Sequence, residues 1–454
     1  MQNLFYENIM YLPESFPQNI YQAYSYSYPH KSAYRNFESA IPIEEVWRKE
    51  KKDALFLYLH IPFCEMRCGF CNLFTVAKPA KDIVNEYIDA LERQTKVVAK
   101  SIGEHQFVRY AVGGGTPTFL ELEELKRIHE IINTNLNLMK DIPFSIETSP
   151  ETITKDKINF FGETNVQRIS IGVQSFIGNE LSTLIRRQKM NEVVQALDLI
   201  KSSTVPVLNV DLIYGIEGQT LHSWMKSLQA VVEFSPEEVY LYPLYLREKT
   251  GMDIVIQREN KIHIRDENSK LSMYEKAREF LIDNNYQQIS MRMFRKNNLK
   301  LNEGPVYCCQ SDGMLGLGAG ARSYTKNVHY CSEYAVSRKN VKSIIRDYNK
   351  MSFDDFNRTT YGFALTQNEQ KHRHLIQSLL HIDGFSFSDY TNRFDSSPLD
   401  EFPQLSELVD YDLAFYDNTK KLKLTAKGIA HSDAIGPWLI SKNVKQLMTE
   451  YQVS

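Results

Sequence analysis

Three cysteines stand close together on one short segment of the chain. They are Cys64, Cys68 and Cys71 in the run LHIPFCEMRCGFCNLF, with C-x3-C-x2-C spacing. Three thiolates on a short loop can converge on one metal centre, whereas an iron–sulfur cube needs four ligands. One iron would therefore stay open, and an open position is where substrate enters a catalytic metal site. A zinc knuckle short of one ligand and three buried free thiols are the alternatives for this triplet.

Polar and glycine residues stand at the ends of several apolar, strand-like runs. They are Gly113, Gly114, Gly115 and Thr116 after one run, Glu147 within the next, Gln174 followed by Arg186, and Asp211 within NVDLIYG. Each alone has a structural interpretation, because glycines make tight turns and an acid at a strand end often caps a helix. Together they would suit a zwitterionic ligand with a ribose. Its carboxylate would meet Arg186 and the glycine amides, and its amine and hydroxyls would meet the acids.

Alternating strands and helices must position these residues. Short apolar or β-branched runs that end at Gly, Pro or polar turns predict strands at 54–61, 107–113, 143–148, 166–175, 206–215 and 238–245. Helices are predicted between them at 81–102, 120–139, 151–160, 190–203 and 220–235. Six βα units in series indicate an α/β fold with a parallel sheet. Because six strands are too few for a closed eight-stranded barrel, we expect a partial (β/α)6 barrel over residues 51–250.

The remaining segments surround this core. Residues 1–50 are rich in Tyr and Pro and are expected to form an extended N-terminal arm, and residues 251–360 are expected to extend the barrel. Residues 361–454 predict a small C-terminal winged-helix-like unit, with a helix at 367–380 and a two-stranded wing in DLAFYDNTKKLKLTAKG. A regulatory role on DNA is disfavoured, because this unit holds 9 Lys/Arg against 12 Asp/Glu. A lid or docking role is preferred.

Composition limits the class of protein. The chain has 454 residues, 43% of them hydrophobic, and a net charge of −3, so nothing in the overall charge favours nucleic acid or an anionic membrane. No apolar run reaches the roughly 20 residues of a membrane span, and the N-terminus lacks the pattern of a signal peptide. We therefore predict a cytoplasmic protein. Three later cysteines (Cys308, Cys309 and Cys331) and two isolated histidines (His60 and His329) are interpreted as structural.

With these residues assembled, the chain resembles the radical S-adenosylmethionine superfamily. Within it, the chain is similar to the oxygen-independent coproporphyrinogen III oxidase group. The motifs that carry the resemblance are YLHIPFC-x3-C-x2-C, GGGTPT, the Glu of SIET, ISIGVQSF with the following Arg186, NVDLIYG, and YSYSYP in the arm. The resemblance implies a [4Fe–4S] cluster on Cys64, Cys68 and Cys71, with S-adenosylmethionine (SAM) on the fourth iron. It also implies cleavage of SAM to a 5′-deoxyadenosyl radical that abstracts hydrogen from a substrate.

The resemblance further implies two bound SAM molecules. Residues expected to contact the one at the cluster are Tyr58, Gly114 and Glu147. Residues expected to contact the second are Phe70, Gly115, Thr116, Gln174, Arg186, Asp211 and Tyr245. The implied partners are a small organic substrate such as a tetrapyrrole and an electron donor such as a flavodoxin or ferredoxin, with no nucleic acid and no membrane.

Two features depart from the oxidase pattern. The oxidase has a fourth Cys two residues after the triplet, where this chain has Leu73, and the C-terminal segment Ile435-Gly436-Pro437-Trp438 also differs. An oxidase-like enzyme is the leading hypothesis. A radical SAM methylase or cyclopropanase using two SAM molecules and a heme-binding chaperone are the alternatives.

Overall fold

A computed structural model describes residues 16–17, 19–22, 25, 27–258, 267–299 and 313–451. Cys308 and Cys309, together with the first part of the predicted arm, lie outside these residues. One large sheet dominates the described chain, and it contains thirteen strands in the order β1-β15-β14-β13-β12-β2-β5-β6-β7-β8-β9-β11-β10. The order is open, so the described strands do not close into a barrel.

Six neighbouring parallel strands form the centre of this sheet. They are β2 (Leu55–Ile61), β5 (Phe107–Gly114), β6 (Phe144–Thr148), β7 (Arg168–Gln174), β8 (Val207–Tyr214) and β9 (Glu238–Pro243). Apolar side chains on both faces explain the arrangement: the consecutive residues Leu212, Ile213 and Tyr214 of β8 are all buried. The α/β class, the six strands and the partial barrel predicted from the sequence are confirmed.

Helices follow these strands as expected. They are α2 (Lys81–Ile102), α3 (Leu122–Asn135), α4 (Lys155–Glu163), α5 (Gly178–Thr183), α6 (Met190–Lys201) and α7 (Leu221–Phe234). All but α5 were predicted, with small differences at the ends. A 3₁₀ turn at Pro117–Phe119 follows β5. The helices α1 (Ile43–Trp47), α8 (Gly251–Arg258) and α9 (Glu267–Asp283) lie outside this series.

Further strands extend the sheet at both sides. Beyond β9 lie β11 (Met293–Lys296) and β10 (Tyr286–Gln288), both antiparallel. Beyond β2 lies β12 (Met314–Leu317), which is parallel to it, followed by β13 (Arg322–Tyr324), β14 (Val328–Cys331), β15 (Arg358–Ala364) and β1 (Arg35–Pro42). The segment 251–360 thus supplies a seventh parallel strand. The predicted arm adds an edge strand and a 3₁₀ turn at Lys31–Ala33.

The C-terminal residues form helices around a small sheet. Its strands are β16 (Phe385–Ser386), β17 (Ala414–Tyr416) and β18 (Lys421–Leu424), and the antiparallel pair β17–β18 confirms the predicted wing. The C-terminal helices span Gln367–Leu379, Phe387–Phe394, Pro398–Glu401, Leu405–Asp410, Ala426–Ala430, Ser432–Trp438 and Lys442–Glu450. Two earlier helices, Arg338–Lys350 and Phe353–Phe356, precede β15 and pack on α2. Strand β15 crosses the predicted boundary at 360/361, and the division into domains stays a prediction. Among the helices described, none has the length and apolar character needed to cross a membrane.

Candidate active site

The cysteine loop is held at both ends by a short two-stranded ladder. Strands β3 (Phe63–Cys64) and β4 (Val76–Ala77) pair in parallel. The Val76 amide donates to the Pro62 carbonyl at 2.7 Å, and the Lys78 amide donates to the Cys64 carbonyl at 2.9 Å. Within the loop, the Cys71 amide donates to the Cys68 carbonyl at 3.1 Å. These contacts fix the three cysteines at the carboxyl end of β2.

The three thiols lie close enough to influence one another. Cys64 and Cys68 are buried, and Cys71 is partly buried. Burial, reinforced by the neighbouring sulfurs, raises the pKa of Cys64 to about 12 and raises the pKa of Cys71. Three ionised thiolates here would therefore need a bound cation. Within the described chain, no three His, Cys, Asp or Glu side chains converge tightly enough for a single metal ion. Three cysteines on one loop are residues that would hold an iron–sulfur cluster.

Two further residues beside the thiols suit such a cluster. Thr75 is fully buried, and its hydroxyl, which has no other partner among the described residues, lowers the pKa of both Cys64 and Cys71 by hydrogen bonding. A hydroxyl placed beside two sulfurs can donate to a thiolate or to the sulfide of a cluster. A Cβ at Gly115 would lie 2.9 Å from Cys64 Sγ and 2.5 Å from the Phe63 carbonyl oxygen. The glycine thus lets the loop after β5 lie directly against the cysteines, and these residues fit a [4Fe–4S] cluster.

The glycine-rich loop also receives the acid of β6. Gly114 has φ +115° and donates its amide to Glu147 Oε2 at 3.0 Å. A Cβ at Gly113 would lie 2.8 Å from the same oxygen. The Glu147 side chain reaches solvent, but the protein atoms around its carboxyl desolvate it and raise its pKa. The hydrogen bond from Gly114 opposes this rise. Glu147 is thus positioned to accept a hydrogen bond from a ligand amine or hydroxyl.

Tyr58 lies beside a buried histidine on β2. Its Oη is 3.3 Å from His60 Nδ1, and His60 Nε2 is 3.0 Å from the Phe74 carbonyl oxygen. Burial lowers the pKa of His60 to about 4, so the ring is neutral. These contacts support the structural interpretation of His60. They place Tyr58 next to the loop that follows the cysteines.

Arg186 connects β7 to the cysteine loop. Its guanidinium donates to the Gly172 carbonyl at 2.6 Å, to Gln188 Oε1 at 2.7 Å and to Cys68 Sγ at 3.0 Å. Gln174, at φ 70° beside a register shift in β7, also reaches toward Gly172. A Cβ at Gly172 would lie 2.6 Å from Gln174 Nε2. Gly172 therefore makes room for both predicted site residues.

Asp211 is the acid of β8, opposite Gly172 in the sheet. It accepts from Asn209 Nδ2 at 2.7 Å and from Ser170 Oγ at 3.4 Å. Desolvation is the main cause that raises its pKa to about 7, and Glu147 adds to the rise. Asp211 on β8 and Glu147 on β6 therefore act on each other across the intervening strand β7. Near pH 7, Asp211 could donate or accept a hydrogen bond.

Phe70 and Tyr245 lie on the β8–β9 side of the loop. Phe70 packs on a small apolar cluster that includes Leu184, Ile213 and Met252. Tyr245 donates from Oη to Asp433 and accepts from Arg292, and Arg292 Nη2 donates to both Asp433 oxygens at 2.6 and 2.7 Å. Tyr245 thus joins the loop after β9 to the C-terminal residues. Sequence reasoning missed Arg292 and Asp433; an acid inside the apolar helix Ser432–Trp438 was the available signal.

Comparisons with known proteins agree with this geometry. The Radical SAM superfamily profile matches residues 58–231. The oxygen-independent coproporphyrinogen III oxidase of Escherichia coli K12 is 27% identical over 433 residues, covering 90% of this chain and 91% of that protein. The heme chaperone HemW of Bacillus subtilis is 28% identical over 271 residues, covering 59% of this chain and 70% of that protein.

A solved structure extends the likeness to the fold. The solved structure of coproporphyrinogen III oxidase HemN of Escherichia coli, described as a radical SAM enzyme, matches with a TM-score of 0.74 at 24% identity, over 88% of this chain and 92% of that one. The Radical SAM superfamily implies a [4Fe–4S] cluster and SAM as cofactors. Residues 58–231 match the model of that superfamily, and the chain is similar to the HemN oxidases and the HemW heme chaperones.

Proposed function

We propose that the protein is an oxygen-independent coproporphyrinogen III oxidase-like radical SAM enzyme. It would abstract hydrogen from an organic substrate, with a tetrapyrrole as the leading candidate. The observation that carries the proposal is the contact of three separate elements with the cysteine loop. Gly115 lies against Cys64, Arg186 donates to Cys68, and Thr75 faces Cys64 and Cys71. A glycine-rich loop, a guanidinium and a buried hydroxyl from three different segments thus meet at one set of thiols, which supports a shared role for these residues.

One-electron cleavage of SAM is the chemistry that a [4Fe–4S] cluster supplies when bound, and it yields the 5′-deoxyadenosyl radical. Cys64, Cys68 and Cys71 would hold the cluster. Tyr58, Gly114 and Glu147 would orient the SAM molecule beside it, with the Glu147 carboxylate accepting from the amine. The role of the chain is to hold the reacting groups in place and exclude water.

A second SAM molecule is part of the proposal. Its contacts would be Phe70, Gly115, Thr116, Gln174, Arg186, Asp211 and Tyr245. The support is that Gln174 and Arg186 share the space over Gly172, directly opposite Asp211. A cation beside β7 and an acid on β8 suit one zwitterionic ligand, whose carboxylate would meet Arg186 and whose hydroxyls or amine would meet Asp211. The Arg186 bond to Cys68 would then couple the second site to the first.

Two alternatives share the same site. A radical SAM methylase or cyclopropanase would also need a second SAM site, to supply a one-carbon group. A heme-binding chaperone is favoured by a specific observation, the 28% identity to HemW. A chaperone would bind heme stoichiometrically with little turnover.

An anaerobic assay tests the proposal. The protein is reconstituted with iron and sulfide, then given dithionite or a reduced flavodoxin or ferredoxin, SAM and coproporphyrinogen III, and the products are measured by mass spectrometry. We expect 5′-deoxyadenosine and decarboxylated porphyrinogen. S-adenosylhomocysteine would instead identify methyl transfer, and heme binding without 5′-deoxyadenosine would identify a chaperone. Cys68→Ala should abolish 5′-deoxyadenosine formation, whereas the matched control Cys331→Ala, a thiol outside the loop, should retain it.

A further inference from the structure

The helix Arg338–Lys350, called the basic helix below, concentrates positive charge on a chain whose net charge is −3. Five of its thirteen residues are Lys or Arg, and one is Asp. The basic side chains are exposed or half-buried, and they are Arg338, Lys339, Lys342, Arg346 and Lys350. None of the five makes an ion pair or a side-chain hydrogen bond with another residue of the described chain. They therefore form an uncompensated positive patch.

The charges on this patch oppose the formation of the helix that carries them. Four of the cations recur at every fourth residue: Arg338, Lys342, Arg346 and Lys350. Like charges four residues apart repel one another, and cations in the first turn also oppose the helix dipole. The other side of the helix buries Val341, Ile345 and Tyr348, and it packs on α2 and β4. Packing thus holds the helix together despite the repulsion, which an anionic partner would relieve.

The segment that leads into the basic helix is bonded to the cysteine loop. Arg67 Nη2 donates to the carbonyl of Val336, two residues before the helix, at 2.6 Å. The same nitrogen donates to the Cys71 carbonyl at 3.3 Å. Tyr334 adds a second link, because its Oη donates to the carbonyl of Asn72. A partner bound to the start of the basic helix would therefore stand beside the loop that carries the predicted cluster ligands.

We propose that the basic helix is the docking site of a small acidic protein that delivers single electrons to the cluster. This inference rests on the proposed function, because one-electron cleavage of SAM needs a reductant. The carrier would lose one electron, and the cluster would gain it. No other source of electrons is implied.

Position and charge together favour an electron carrier over other anionic partners. A carrier must come close to the cysteine loop, whereas nucleic acid or an anionic membrane has no need to bind there. Weak redox complexes use small interfaces, and complementary charge in them mainly speeds the encounter. Leu73, which follows Asn72 in the loop, is 49% exposed and offers an apolar contact near the charged patch. The kind of partner that fits is thus a negatively charged protein that binds briefly.

Stopped-flow absorbance of the reconstituted protein tests the docking site through the rate of cluster reduction. The probes are fully reduced flavodoxin, reduced ferredoxin and photoreduced 5-deazaflavin, a small reductant that needs no docking site. We expect Arg338→Gln/Lys342→Gln/Arg346→Gln to lower the second-order rate constant with flavodoxin by about tenfold at low salt. The difference should shrink in about 0.5 M NaCl, because salt screens the charges. Reduction by 5-deazaflavin should be unchanged.

Matched variants separate charge from folding. Arg338→Lys/Arg346→Lys keeps the charge and should keep the rate with flavodoxin. Lys140→Gln/Lys155→Gln/Lys226→Gln removes the same charge from exposed positions on other segments and should change the rate little. The neutralised basic helix should unfold at the same or a higher temperature, because repulsion is removed. Isothermal titration of the cofactor-free protein with oxidised flavodoxin should show weaker binding for the neutralised helix alone, without any turnover.

Several outcomes would overturn the docking site. These are an equal loss of rate in the two triple variants, an equal loss with 5-deazaflavin, and no loss with either protein carrier. Failure of both carriers to reduce a cluster that 5-deazaflavin reduces would also overturn it. Binding of a DNA duplex or of phosphatidylserine vesicles through the basic helix, with reduction rates unaffected, would assign the patch to those partners instead. Absence of 5′-deoxyadenosine after reduction by 5-deazaflavin would contradict the proposed function, and it would leave the measured docking intact.

Discussion

The guanidinium of Arg186 donates a hydrogen bond to the sulfur of Cys68 over 3.0 Å. The same side chain donates to the Gly172 carbonyl of β7 at 2.6 Å, so one residue ties the cysteine loop to the sheet. This bond exists within the chain itself, with no cofactor needed to form it. The loop is therefore preorganised by a guanidinium that holds one of its thiols.

Replacing Arg186 should loosen the loop. We expect Arg186→Met to lower the free energy of unfolding of the cofactor-free protein by about 1–2 kcal/mol, because charge-assisted bonds are lost from a partly buried position. Urea unfolding measures this. The neighbouring, exposed Arg187→Met is the control and should change little. Equal losses in the two variants would contradict a special role for Arg186.

Gly115 should be intolerant of any side chain. A Cβ there would lie 2.5 Å from the Phe63 carbonyl oxygen and 2.9 Å from Cys64 Sγ, so one of the two loops must move. We expect Gly115→Ala to lose most of the iron and sulfide bound after reconstitution, as measured by chemical analysis, while circular dichroism stays unchanged. Gly178→Ala is the matched control, because a Cβ there meets nothing within 4 Å. Full iron content in Gly115→Ala would show that the loops can separate.

Much of the core was predictable because its signals are local. Strands such as Leu55–Ile61 are runs of apolar residues buried on both faces, and the turns after them contain Gly or Pro. The β12 strand was missed because Met314–Leu317 is only four residues long and includes Gly316, which is needed where a Cβ would come 2.3 Å from the Arg322 carbonyl oxygen. Close backbone approach leaves no periodic pattern in a sequence.

The candidate site also contains residues that the sequence predicts and contacts that it does not predict. Their spacing in the sequence predicts that Cys64, Cys68 and Cys71 act together, because one loop carries all three. The contacts of Lys31 with Tyr334 and of Arg292 with Asp433 join residues more than a hundred positions apart. No local pattern encodes such pairs, because each depends on how the arm and the C-terminal helices pack on the sheet.

Asp211 should make stability depend on pH. Its pKa is raised from 3.8 to about 7 by folding, so between these values the folded chain holds a proton that the unfolded chain has released. Stability therefore falls as pH rises from about 4 to about 7, and the loss is complete above the folded pKa. Asp211→Asn should remove this loss. The free energy of unfolding of the variant, relative to that of the unsubstituted protein, should therefore rise by roughly 2–4 kcal/mol between pH 4 and pH 8.

Urea unfolding of the cofactor-free protein across this pH range checks the Asp211 prediction. Asp198→Asn, which replaces an exposed carboxyl on a helix, is the control and should keep the original profile. An Asp211→Asn profile parallel to that of the unsubstituted protein would mean that Asp211 is already ionised at low pH.

The buried pair of Arg292 and Asp433 should be essential to docking of the C-terminal residues. Their side chains are 3% and 1% exposed, so removing one charge leaves the other buried and uncompensated. We expect Asp433→Asn to destabilise the protein by about 3–5 kcal/mol, and the double variant Arg292→Met/Asp433→Asn to lose less. Thermal or urea unfolding measures both. A double variant as unstable as the sum of the single ones would show that the two charges act independently.

Thr75 offers a test of the cluster environment that does not depend on turnover. Its buried hydroxyl lowers the pKa of Cys64 and Cys71 by hydrogen bonding and has no other partner in the described chain. A hydrogen bond to cluster sulfur stabilises the more negative, reduced state. Thr75→Val should therefore lower the midpoint potential of the reconstituted protein. If the lost bond is worth about 1 kcal/mol, the fall is roughly 40 mV for one electron. Redox titration followed by electron paramagnetic resonance measures this shift. Thr75→Ser keeps the hydroxyl and should keep the potential, whereas the same potential in all three proteins would mean that Thr75 points away from the cluster.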